Sequence, residues 1–152
     1  MSEPAPTRTG DVAVGVDGSD GSRAALAWAM DEAARRGVAV HAITAYAGPD
    51  VWSTAEGLVP DARVLHDAAQ REVAAAVEEV SAARRERGLA VPEVRTEVAM
   101  GPASTVLLHH ARGASVLVVG HRGRGGLASR FIGSVGLSAV IHADCTVVVV
   151  RD

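Results

Sequence analysis

Two short segments concentrate the residues able to do chemistry. The first is Asp17-Gly18-Ser19, and the second is Gly120-His121-Arg122-Gly123-Arg124-Gly125-Gly126. Glycines in the second segment let backbone N–H groups converge on an anion, and Arg122, Arg124 and Arg130 add positive charge around it. Behind it, Gly133-Ser134-Val135-Gly136 reads as a helix start, whose orphan N–H groups and dipole favour the same kind of guest. A polyphosphate suits such a loop. The plainer alternative is a strand-to-helix turn that is merely rich in glycine and solvated arginine.

Neither common phosphate motif fits. A Walker loop needs Lys before Ser or Thr, and all 15 basic residues are Arg. Gly123, Gly125 and Ala128 satisfy G-x-G-x-x-A, but they follow the fourth strand-like segment and leave too little chain for a dinucleotide fold. The lack of Lys also removes Schiff-base chemistry. His109 and His110 are neighbours on a helix and point about 100° apart, so a shared metal site is not expected. His121 is the one histidine inside the loop. Cys145 has no recognisable catalytic partner in the sequence and reads as a small buried side chain. Asp17 either caps the first helix or faces a ligand held by the glycine-rich loop.

These residues need elements to hold them. Val12, Val14 and Val16 alternate through Asp11–Val16, a strand that ends at Asp17-Gly18-Ser19. Ser19, Asp20 and Ser22 are candidate N-caps for an Ala- and Leu-rich helix that Arg35, Arg36 and Gly37 close. Val38–Ala45 reads as a second strand, and Gly48–Pro60 as a long connection of the kind that often forms a flap. From Asp61 to Arg87 no breaker occurs. Val64, Val73, Val77 and Val80 stripe one face there, and Arg84, Arg85, Arg87 and Gly88 supply the end. Strands over Val94–Ala99, Val116–Val119 and Thr146–Val150 then alternate with helical segments at Ala103–Ala111 and before Ile141. Val116–Val119 is apolar on both faces, as when helices cover both sides of a parallel sheet. The order βαβαβαβαβ predicts a single doubly wound α/β sheet.

Length and composition agree. The chain has 152 residues and a formal net charge of −3, which predicts one domain over 11–152 behind a flexible tail at 1–10. No apolar run approaches the roughly 20 residues that span a bilayer, and the first ten residues lack a signal-peptide core. A lone cysteine fits a reducing compartment, so a cytoplasmic location is expected. With one Tyr, one Phe and two Trp, a basic, stacking surface for nucleic acid is not expected.

Gly120, Gly123, Gly133 and Ser134 spell G-x2-G-x9-G-[ST]. With VGVDGS at the first strand, GPA at Gly101–Ala103, VLVVG before the loop and the terminal TVVVVR, the chain resembles the nucleotide-binding branch of the universal stress protein family over Val12–Arg151. That resemblance implies an open parallel five-stranded sheet of order 3-2-1-4-5, helices on both faces, and ATP bound across strands one and four with Mg²⁺ as its counter-ion. It places Asp17 near ribose and adenine, and the backbone of Ala45 against adenine. Val119, Gly120, Arg122 and Gly123 would wrap ribose and phosphates. Gly133, Ser134, Val135 and Gly136 would present amides and one hydroxyl to the phosphates. Two departures stand out. Gly136 replaces a frequent Ser or Thr, a loss of about 0.5–1.5 kcal/mol if one hydrogen bond disappears, and the GPA turn is one residue shorter than usual.

The resemblance implies a regulatory or sensor module that works through nucleotide binding and dimerises through Thr146–Val150. The alternative on the same sheet is a slow ATPase or nucleotidyl-transfer enzyme. Asp50 and Glu56 are the acidic groups that the long connection offers it, and the SGGxDS loop of related ATP pyrophosphatases is absent after the first strand. A third reading is a loop that binds nothing, in a protein that works by dimerising.

Overall fold

A computed structural model describes residues 10–49, 55, 57, 61–123 and 132–151. Residues 1–9 of the expected tail, most of the Gly48–Pro60 connection, and Arg124, Gly125, Gly126, Ala128 and Arg130 lie outside the described residues. Among the described residues nine elements follow in the order β1 (Val12–Gly15), α1 (Asp20–Arg36), β2 (Val40–Tyr46), α2 (Ala62–Glu86), β3 (Val94–Met100), α3 (Ala103–His110), β4 (Val116–Gly120), α4 (Ser134–His142) and β5 (Thr146–Val150). All strand pairs are parallel, in the order β3-β2-β1-β4-β5.

Alternation along the strands divides the core between the two faces of the sheet. Val12, Val14, Val40, Val116 and Val118 meet Ala25, Leu26, Ala29 and Met30 of α1 and Val73, Ala76 and Val80 of α2. Ala13, Ile43, Leu117 and Val119 meet Val106 and Leu107 of α3 and Ala139 of α4 on the other side. The sheet order reverses between β1 and β4, so their carboxyl ends flank the crevice where ligands of open α/β sheets bind.

Two local expectations need correction. β2 starts at Val40, two residues late, because Gly37 adopts a left-handed φ of 67° and the Val38 N–H still donates to the Ala33 carbonyl at 3.1 Å. That is a helix C-cap, and it keeps Val38 out of the strand. Val64 does not belong to the buried stripe of α2; it is 57% exposed, and burial on this helix begins at Ala69. Arg84 lies in the last turn of α2, as expected, and has a further role. It is buried, donates Nε and Nη2 to the Ala90 carbonyl at 3.0 and 2.9 Å, and pairs with Asp31 of α1.

The end of the sheet opposite the crevice holds a buried polar group. His41 on β2 lies in register with Arg95 on β3, and Arg95 bridges to buried Asp11 at 2.9 Å. Burial lowers the pKa of His41 below its ordinary value, His110 and Arg95 lower it further, and Asp11 opposes them. The folded chain therefore keeps His41 neutral, while the unfolded chain takes up a proton near pH 6.5. Stability from this group is fully present above that pH and is lost as the pH falls toward the folded value. Tm is expected to be lower at pH 5.5 than at 7.5, and a His41→Gln variant to lose part of that difference. An unchanged difference in the variant would contradict this origin.

Candidate functional site

The carboxyl end of β1 is clamped before it delivers Asp17. The Val16 N–H donates to the Ile43 carbonyl at 2.9 Å, and the Thr44 hydroxyl donates to the Val16 carbonyl at 2.8 Å. Gly18, with φ of 78°, then turns the chain into α1. Asp17 Oδ1 accepts the Ser19 N–H at 3.0 Å and the Ser19 hydroxyl. Ser19, one of three residues that could have capped α1, is the N-cap: its Oγ accepts the Ser22 N–H at 3.2 Å. Ser22 Oγ accepts the Asp17 N–H at 3.3 Å and donates to the Ser19 carbonyl at 2.9 Å. Arg23 adds a bond from Nη1 to the Gly18 carbonyl at 2.6 Å and an ion pair with Glu79 on α2.

The carboxyl end of β4 is pressed against this loop. A Cβ on Gly120 would lie 2.7 Å from both the carbonyl carbon and the oxygen of Gly21, and a Cβ on Gly21 would lie 2.6 Å from the Arg122 carbonyl oxygen. A Cβ on Gly123 would lie 2.6 Å from Asp17 Oδ2. None of these three glycines has positive φ, so they are required for space and not for backbone conformation. Asp17 and Gly123, paired by expectation only, are thus in direct contact.

Gly133 follows at the N-terminus of α4. Its N–H donates to the His121 carbonyl at 2.9 Å, and the His121 N–H donates to the Val150 carbonyl at 2.7 Å, which ties the loop to β5. Gly133 is the N-cap and, as a glycine, brings no side chain of its own to the first turn formed by Ser134, Val135 and Gly136. Ser134 is exposed, as a phosphate-facing hydroxyl must be. Gly136 has a structural reason: a Cβ there would lie 2.9 Å from Ile132 Cγ1, so Ser or Thr would displace Ile132.

The other expected residues are placed as follows. The Val119 side chain is buried in the core with α3 and α4, one residue before the end of β4 and in register with Val149. Arg122 is half-buried at the loop's start, with its carbonyl against Gly21. Ala45 lies near the end of β2 in register with Ala99, one strand further from β4 than Asp17. Sequence reasoning missed Gly21. Its partner, Gly120, is distant in sequence, and no local pattern marks the contact.

Burial raises the pKa of half-buried Cys145, with Asp144 adding to the rise and a Leu117 backbone contact opposing it, which keeps it a thiol at neutral pH. Among the described residues no three His, Cys, Asp or Glu side chains form a group able to hold a metal. No described helix is long and apolar enough to cross a membrane.

The sequence matches the universal stress protein family over residues 9–151. Two universal stress proteins of Mycobacterium tuberculosis are 40% identical over 139 residues and 38% identical over 141; these alignments take in 91% and 93% of this chain but 44% and 45% of theirs. The chain spans less than half the length of these curated relatives. Among solved structures, UspA from Lactobacillus plantarum has a TM-score of 0.72 at 23% identity, covering 95% of this chain and 99% of that one. A universal stress protein in complex with cAMP has a TM-score of 0.67 at 26% identity, covering 95% and 98%. The first of these speaks for the fold alone. The sequence match runs through both segments that form the crevice between β1 and β4, and on that ground the chain belongs to the universal stress protein family.

Proposed function

We propose that the chain binds an adenine nucleotide, ATP with Mg²⁺, in the crevice between β1 and β4, and that occupancy of this site makes it a regulatory module of the stress response. The observation that carries this reading is the meeting of Asp17 with Gly123 beside a helix start whose N-cap is a glycine. A cradle that a single Cβ would fill, an acidic group beside it and the N–H groups of a helix first turn together suit ribose and phosphate. Gly133, Ser134, Val135 and Gly136 would hold the phosphates, with Arg122 adding charge. Gly120, Gly123 and the Val119 backbone would border the ribose, Asp17 would accept from it, and the Ala45 backbone would meet adenine. Support also comes from the relative at 26% identity whose structure contains cAMP. Nucleotide would act on partners through its differential affinity for two states of the chain.

Thermal shift with ATP, ADP, AMP and cAMP, with and without Mg²⁺, tests the site. Ligand at about 100 times its Kd adds roughly 2.7 kcal/mol, which moves Tm by several degrees in a domain of this size. A rise specific to adenine nucleotides and reduced in Gly123→Ala and Ser134→Ala is the expected result. A flat response to all four at millimolar concentration would overturn the reading.

The reading includes a homodimer through β5. Support comes from its position at the end of the sheet and from the exposed apolar residues Leu137, Val140 and Ile141 on α4. A bare apolar sheet edge invites pairing with another chain.

A further inference from the structure

We propose that Ser19 is a positioning residue for the site, fixing the rotation of the Asp17 carboxylate and through it the path of the loop after β4; the role rests on the assignment of that site to an adenine nucleotide. Asp17 Oδ1 takes both donors of Ser19, the backbone N–H and the hydroxyl. A simple turn after an aspartate needs the first of these alone. The second is a hydrogen bond to an ionised group, roughly twice as strong as a neutral one. Two donors on one oxygen set the carboxylate plane, and that plane directs Oδ2 to the place a Gly123 Cβ would occupy.

Ser19 is itself held. Its Oγ accepts from the Ser22 N–H, and its carbonyl accepts from the hydroxyl of buried Ser22, which also receives the Asp17 N–H. The three residues close a ring of hydrogen bonds at the first turn of α1. A serine needed only as a helix cap would turn its hydroxyl proton to water. Here that proton goes to Asp17, so the position of α1 is transmitted to the carboxylate and on to Gly123.

Two substitutions separate capping from positioning. Ser19→Gly removes the hydroxyl yet costs the helix start only a few tenths of a kcal/mol, and Ser19→Thr retains both functions. Backbone NMR of the ligand-free protein and calorimetric titration with ATP and Mg²⁺ are the readouts. Ser19→Gly is expected to move the Gly123 amide resonance and to raise Kd about fivefold, the worth of roughly one hydrogen bond. Ser19→Thr is expected to restore both. In an Asp17→Ala background, Ser19→Gly should change Kd by less than about twofold, because coupled residues are not additive. An unmoved Gly123 resonance, an equal loss in the Asp17→Ala background, or failure of Ser19→Thr to restore binding would each overturn the role. A wild-type protein that binds no adenine nucleotide would instead overturn the site assignment, and the role with it.

Discussion

Gly120→Ala is expected to lower Tm by roughly 2–12 °C and to abolish nucleotide-dependent stabilisation. The added carbon would sit 2.7 Å from two backbone atoms of Gly21 and 3.2 Å from the Ser22 nitrogen. Backbone atoms inside a helix cannot swing aside as a side-chain tip does, so α1 or β4 must move bodily. Overpacking of this kind costs about 1–3 kcal/mol, and each kcal/mol shifts Tm by roughly 2–4 °C at this chain length. The loss of binding has a separate cause. The displaced turn carries Ser19 and Ser22, which fix Asp17, and the displaced strand carries the loop that meets it. Gly133→Ala is the matched control for stability, because its Cβ would find nothing nearer than 3.5 Å and the fold should persist. Differential scanning calorimetry of both variants checks the contrast. A Gly120→Ala protein within about 1 °C of wild type would mean that the contact with Gly21 is looser than its geometry implies.

Gly120 also shows what kind of information a sequence holds. Its spacing to Gly123, Gly133 and Ser134 was legible, and so was its place at the end of a strand. The reason for the glycine was not, because that reason is Gly21, brought there by the pairing of β1 with β4. The same division holds along the chain. β-branched runs and helix caps are local, so the alternation of strands and helices could be read from them, whereas the strand order came only from the family resemblance. Burial of a charged group is not local. Arg84 carries the pattern of a last-turn cation, yet its partners are Asp31 on another helix and the carbonyl of Ala90 beyond the helix end. Val64 keeps the helical spacing of the apolar stripe but sits in the first turn of α2, ahead of the part that reaches the core. Gly136 departs from the family pattern for a reason that lies in Ile132, four residues before it, where the chain bends into α4.

The second large effect concerns assembly. Wild-type protein is expected to sediment as a dimer at micromolar concentration, and Leu137→Glu/Ile141→Glu as a folded monomer whose Tm falls by no more than the stabilisation that association supplies. β5 is the last strand of the described sheet, with partners on β4 alone. Two copies related by a twofold axis can pair these edges antiparallel and extend the sheet. α4 runs above that edge, and Leu137, Val140 and Ile141 are 48%, 54% and 63% exposed on it, a continuous apolar strip that a second copy would cover. Exposed side chains tolerate substitution within about 0.5 kcal/mol, so the two glutamates should not disturb the monomer. At a twofold interface each substitution counts twice and places like charges near one another. A loss of about 2 kcal/mol of apolar contact alone weakens association roughly 30-fold, and the repulsion adds to it. Sedimentation velocity and calorimetry on both proteins decide the matter. A monomeric wild type would remove the dimer, and a dimer indifferent to the glutamates would confine the contact to β5 and exclude α4 from it.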